Sequence, residues 1–116
     1  MDMSCPACSK EKETIDHLFL HCGWAVELWQ LCMAWWDVSF CTNSSVNDWL
    51  NGWSGLCPSF KQERVWCSMF FAITWTIWEC RNRLVFEDKN MEVKQAAELV
   101  KFRIVWWFKH LGRGSN

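Results

Sequence analysis

An all-α fold is what this sequence predicts: a small cysteine-bearing N-terminal loop followed by about four helices in an irregular bundle. Three observations carry that expectation. Apolar residues recur at helical spacing over long stretches, and no convincing strand pattern appears between them. Only two prolines and five glycines punctuate 116 residues. Hydrophobic residues make up 51% and charged residues 22%, which excludes a disordered chain and allows a real core at this length.

The head, residues 1–13, holds Cys5-Pro6-Ala7-Cys8 and then the charged run Ser9-Lys10-Glu11-Lys12-Glu13. Thr14 can cap a first helix that runs to about Asp37. Its apolar arc is wide. Ile15, Leu18, Cys22, Trp29, Met33 and Trp36 form one stripe, and Leu20, Trp24, Leu28, Leu31 and Trp35 form another beside it. Burial on two sides is implied. Ser45 with Asp48 is a capping-box pattern that opens a short helix through Trp53. Ser59 with Gln62 is a second, and starts the longest apolar helix, about residues 60–86. Asn90 is a plausible cap for the last helix, about 91–111, in which Val93, Ala97, Val100, Ile104, Trp107 and Leu111 share a face. Gly112 is placed as its C′ residue. The chain therefore divides into a head with the first helix (1–40), a helical remainder (41–88) and a basic helix with a linker (89–116).

Net charge is −1, so no global field draws the molecule to nucleic acid or membrane. The sum hides a gradient. Residues 1–48 hold two Lys against seven Asp/Glu, and residues 89–116 hold six Lys/Arg against two Glu. No basic n-region and apolar h-region open the chain, so an intracellular location, nuclear or cytoplasmic, is expected rather than secretion. The most apolar run, Val65 to Trp78, is 14 residues long, short of the ~20 that a membrane span needs.

One arrangement has metal-site chemistry: Cys5-x2-Cys8-x8-His17-x4-Cys22. Two thiolates in a Cys-x2-Cys pair can reach one Zn²⁺, and a tetrahedral ion would close a loop that has no hydrophobic staple of its own. The fourth ligand stays open on geometry. On a regular helix His17 and His21 point about 40° apart, whereas His17 and Cys22 point about 140° apart, so an undistorted helix favours His21. Cys22 works if the helix starts late or if His17 sits in a distorted first turn, and a thiolate suits zinc better as the fourth group. A redox role for Cys-x2-Cys normally needs a preceding strand, which is absent here.

The other cysteines are scattered singly, and Cys32, Cys67 and Cys80 lie within apolar helical patterns as small core residues. No acidic two-metal constellation and no Gly-rich phosphate loop is present, so no catalysis is expected from this chain. Tryptophan at helical spacing packs in a core far more often than it forms a stacking surface, and at least eight of the eleven are assigned to packing.

Cys5-Pro6-Ala7-Cys8, Glu13-Thr14, His17-Leu18-Phe19-Leu20-His21-Cys22 and Glu27-Leu28-Trp29 together resemble the zinc-binding domain of plant non-LTR (LINE-type) retrotransposon reverse transcriptases. That family typically reads C-P-x-C and then E-T-x-x-H-L-F-x-x-C. Trp75-Thr76-Ile77-Trp78-Glu79-Cys80-Arg81-Asn82-Arg83-Leu84-Val85-Phe86 is similar to its W-x-I-W-x-x-R-N-x-x-x-F tail. The resemblance implies one structural zinc on Cys5, Cys8, His17 and Cys22, with His21 the alternative fourth ligand. It implies an accessory domain of an RNA-directed DNA polymerase. In the family more helices precede C-P-x-C, so the chain is expected to be a piece truncated at its N-terminus.

The expected function is a non-catalytic zinc-binding module that assists RNA or DNA binding. Lys94, Lys101, Arg103, Lys109 and Arg113 would neutralise phosphates, and Arg81 and Arg83 would contact phosphate or a base edge. The parent's polymerase domain is the other expected partner, with no membrane and no small-molecule substrate. The acidic head favours the alternatives, a structural module that docks a protein or a non-functional retroelement relic.

Overall fold

Four helices follow a π-helical turn in the computed structural model, which describes residues 4–8, 12–38, 45–58 and 60–110. The turn spans His17–His21, and the helices are α1 (Gly23–Ala34), α2 (Val46–Trp53), α3 (Glu63–Glu87) and α4 (Val93–His110). Among the described residues there is no strand, only an isolated antiparallel bridge between Ser4 and Lys12 that closes the N-terminal loop. The chain is all-α. No helix among these residues is long and apolar enough to cross a membrane.

α1 is the centre of the bundle. Ala25, Leu28, Trp29, Cys32 and Met33 are buried at i, i+3, i+4, i+7 and i+8, the stripe that a core-facing helix requires. α1 packs on α3 and α4, which pack on each other. Trp29 also reaches α2, with its ring 5.5 Å from both Trp49 and Trp53 in edge-on contacts. The burial of α4 follows the predicted spacing at Val93, Ala97 and Val100, with Ile104 and Trp107 half-buried below them. Indole N–H groups taken out of water need acceptors, and for Trp24 and Trp29 backbone carbonyls supply them. Trp29 Nε1 donates to Phe19 O (2.7 Å), and Trp24 Nε1 donates to Met91 O (3.0 Å).

Helix ends are set locally. Ser45 Oγ accepts from Asp48 N at 3.1 Å, as the capping pattern predicts, and Asp16 Oδ1 adds a bond from Val46 N at 2.8 Å. α1 and α3 are each followed by an aspartate in the left-handed region, Asp37 (φ 57°) and Asp88 (φ 53°). Lys89 N then closes on Arg83 O at 3.2 Å, a six-residue step that wraps the end of α3. α3 begins at Glu63, after a 3₁₀ turn at Phe60–Gln62, and α4 begins at Val93 rather than beside Asn90. Ser59 and Gly112, the other expected cap residues, lie outside the described residues.

The largest departure from the sequence reading is the first helix. A single helix from Thr14 to Asp37 is expected, but the chain breaks at Cys22, whose backbone is extended (φ −65°, ψ 133°). Ahead of the break, Cys22 N bonds to His17 O at 2.7 Å, a five-residue step that widens the turn. The widened turn and extended Cys22 replace the 140° divergence of a regular helix and let positions 17 and 22 face one point. Burial departs from the pattern too. Seven tryptophans are buried or half-buried, one fewer than expected, because Trp35, Trp75, Trp78 and Trp106 are 38–57% exposed. Ile15, read as part of the first apolar stripe, is 69% exposed.

Candidate metal centre

The N-terminal loop enters the fold with few apolar side chains, so its conformation has to come from polar contacts. The Ser4–Lys12 bridge brings its two ends together. Thr14 then fixes the next turn: its Oγ1 accepts from His17 N at 3.0 Å and its carbonyl accepts from Leu18 N at 2.9 Å. That is the cap the sequence predicts at Thr14, serving a π-helical turn instead of a regular helix. Leu18 and Leu20 are buried beneath it and anchor the turn to the core.

The loop and turn together bring Cys5, Cys8, His17 and Cys22 to one point, with all four donor atoms within 4.8 Å of one another. Cys5 Sγ lies 3.8 Å from Cys22 Sγ, and Cys8 Sγ lies 3.3 Å from His17 Nε2. An ideal tetrahedron with Zn–S ~2.3 Å and Zn–N ~2.05 Å has edges of roughly 3.8 Å between sulfurs and roughly 3.5 Å between sulfur and nitrogen. The donors fit zinc both in chemistry and in spacing. Cys5, Cys22 and His17 are buried and Cys8 is half-buried, so the centre is largely closed to solvent. Burial, reinforced by the neighbouring Cys5 and Cys8, pushes the Cys22 thiol up to about 12, against a backbone hydrogen bond from Trp24 that lowers it. Metal binding at such a site therefore displaces a proton. His21 is exposed and is not one of the four clustered residues. No other group of three or more Cys, His, Asp or Glu side chains among the described residues could hold a metal.

The remaining described cysteines contribute packing. Cys32 is fully buried, and its thiol is pushed up to about 12 by that burial. Cys67 and Cys80 are also raised, chiefly by burial, which makes them poor nucleophiles.

The basic residues read as nucleic-acid contacts fall into different settings. Arg81 Nε and Nη2 donate to the two carboxylate oxygens of Glu13 at 2.7 and 3.0 Å. Arg103 Nη2 donates to Glu79 Oε1 at 2.6 Å and its Nη1 donates to Thr76 Oγ1 at 2.8 Å. Both guanidinium groups are thus engaged within the chain. The Glu13 carboxyl sits below its ordinary range, chiefly because of its hydrogen bond to Arg81. Arg83, Lys94, Lys101 and Lys109 are exposed, and Lys101 lies 4.8 Å from the Trp35 ring centroid. Arg113 lies outside the described residues. Lys89, which the sequence reading passes over, joins Arg83, Asn90 and Gln95 along a cavity of about 420 Å³ at the α3–α4 corner. Its place depends on the turn at Asp88, so composition alone carries no signal for it.

Residues 1–29 match the family model described as zinc-binding in reverse transcriptase. No curated protein and no solved structure matches the chain. The cluster built by that segment is consistent with one structural zinc ion. The matched residues and the Cys/His centre they fold into fit a reverse transcriptase zinc-binding domain.

Proposed function

We propose that the chain is a non-catalytic zinc-binding module of a reverse transcriptase, with one structural zinc on Cys5, Cys8, His17 and Cys22, and that it assists RNA or DNA binding. The observation that carries the metal role is the closed set of four donors within 4.8 Å of one another. Structural zinc sites use four protein ligands, whereas catalytic ones keep a position open for water or substrate. Metal content of the purified chain tests the ligand set. Cys22→Ser is expected to lose stoichiometric zinc and His21→Ala to keep it. The reverse result overturns the assignment.

The nucleic-acid role is supported by the outer face of α4. Lys94, Lys101 and Lys109 are exposed there beside Phe102 and Val105, which are 65% and 64% exposed, and Trp106 adjoins them. Cations beside exposed aromatics suit a single strand, whose phosphates need neutralising and whose bases stack. Arg83 and Lys89 extend the basic surface at the α3–α4 corner. Arg81 and Arg103 add little to it because each is largely shielded in a short carboxylate pair, whereas the Lys89–Glu87 and Lys101–Glu98 pairs are longer and exposed. Binding to single-stranded RNA and DNA is expected to weaken with salt along a clearly negative log–log slope. Lys94→Ala and Lys109→Ala are each expected to flatten that slope by about 0.7.

A second reading, a module that docks a protein such as the parent's polymerase domain, is favoured by a stripe on α3. Phe71, Trp75 and Trp78 stand 45–57% exposed at helical spacing, and with Phe19 and Trp107 they line one groove. A salt slope near zero would sink the nucleic-acid reading and favour this one.

A further inference from the structure

A loop closed by a metal holds its ligands only as firmly as the chain on either side of them is held. The exit of this loop is Glu13, which lies between the Ser4–Lys12 bridge and the Thr14 side chain that fixes His17. Its carboxylate is gripped from α3, 68 residues away in sequence, by the two-pronged bond from Arg81. Arg81 is itself immobilised. Its Nη1 donates to Asn82 Oδ1 at 2.9 Å, and its guanidinium lies 5.3 Å from the Trp78 ring centroid. Both members of the pair are largely shielded, with side chains 21% and 24% exposed. With Ala7 and Cys22, Arg81 also lines a cavity of about 30 Å³ beside the cluster.

We propose that Arg81 is a positioning residue for the metal loop: through Glu13 it sets the turn that presents His17, and it thereby controls how readily the loop releases its metal. The proposal rests on the zinc reading above. Groups outside the ligand shell commonly change metal affinity 10–100-fold when removed. Arg103 supplies the comparison. It makes an equally short ion pair, to Glu79, but that pair joins α4 to α3.

The test is the rate at which the zinc-loaded full chain gives up its ion to excess chromophoric chelator, with urea unfolding measured beside it. Arg81→Met and Glu13→Gln are each expected to release zinc about tenfold faster, and the double variant no faster than either, because both remove one interaction. Arg81→Lys, which keeps the charge but not the fork, is expected to restore part of the retention. Arg103→Met is expected to lower the urea midpoint while leaving release within about twofold of the unaltered chain. Should Arg81→Met fail to fold, Glu13→Gln, nearly identical in shape, carries the test. Unchanged release in Glu13→Gln, or equal acceleration in Arg103→Met, overturns the proposal and leaves the zinc reading standing. An unaltered chain that takes up no zinc overturns both.

Discussion

Stripping the metal with a chelator is expected to abolish amide-exchange protection at residues 4–8 and 12–16 and to weaken it at 17–22, while α3 and α4 stay protected. Fixing the backbone costs about 1–2 kcal/mol per residue, so ordering the ten or so loop residues costs on the order of 10–20 kcal/mol. Against this the metal-free loop sets one bridge, the Thr14 cap and the Glu13–Arg81 pair. Those polar contacts contribute about 0.5–3 kcal/mol each. Structural zinc supplies on the order of 10–16 kcal/mol, the size of the deficit. The effect should fade from His17 onward. Leu18 and Leu20 are buried by the core, and Trp29 Nε1 bonds to Phe19 O, so the π-helical turn loses only part of its support. Hydrogen exchange with and without chelator checks this residue by residue. Protection of residues 4–8 and 12–16 that survives chelation would show that the loop does not depend on a metal.

The same balance explains what was legible in the sequence. Helix positions were, because the stripes of α1 and α4 obey a local period, and so was the Ser45 cap. The metal donors could be listed from their spacing, but the break at Cys22 could not. A regular helix has the better intrinsic propensity there, and the extended Cys22 backbone follows from where the four donors converge. On α3 the helical repeat of Trp66, Met69, Phe70, Ile73 and Ile77 marks the stripe that is buried, but a second apolar stripe lies opposite it. Phe71, Trp75 and Trp78 repeat just as well on the exposed side. Arg81 and Arg103 look like phosphate contacts in one dimension. Their carboxylates lie 68 and 24 residues away and become partners only when the bundle forms.

Trp66→Ala is expected to bring the fold close to unfolding at room temperature, whereas Trp75→Ala on the same helix should be nearly silent. Trp66 is fully buried, stacked on Trp53 at 4.3 Å between centroids and 11° between planes, with Trp36 edge-on at 5.3 Å. The two stacked indoles also exchange hydrogen bonds: Trp66 Nε1 donates to Trp53 O at 2.6 Å, and Trp53 Nε1 donates to Trp66 O at 2.7 Å. Truncating such a side chain costs about 3–5 kcal/mol through lost burial and the cavity left behind. The Trp53 carbonyl, deprived of its donor, adds about 1–3 kcal/mol. Domains of this size have only about 5–15 kcal/mol in total. Trp66→Phe separates the two terms, because it keeps most of the ring while removing the donor, and about 1–3 kcal/mol should be lost. Trp75 is 57% exposed, so its loss should cost less than about 1 kcal/mol. Urea midpoints at constant slope measure all three. A Trp66→Ala midpoint matching that of Trp75→Ala would mean that the Trp53–Trp66 pair does not hold α2 against α3.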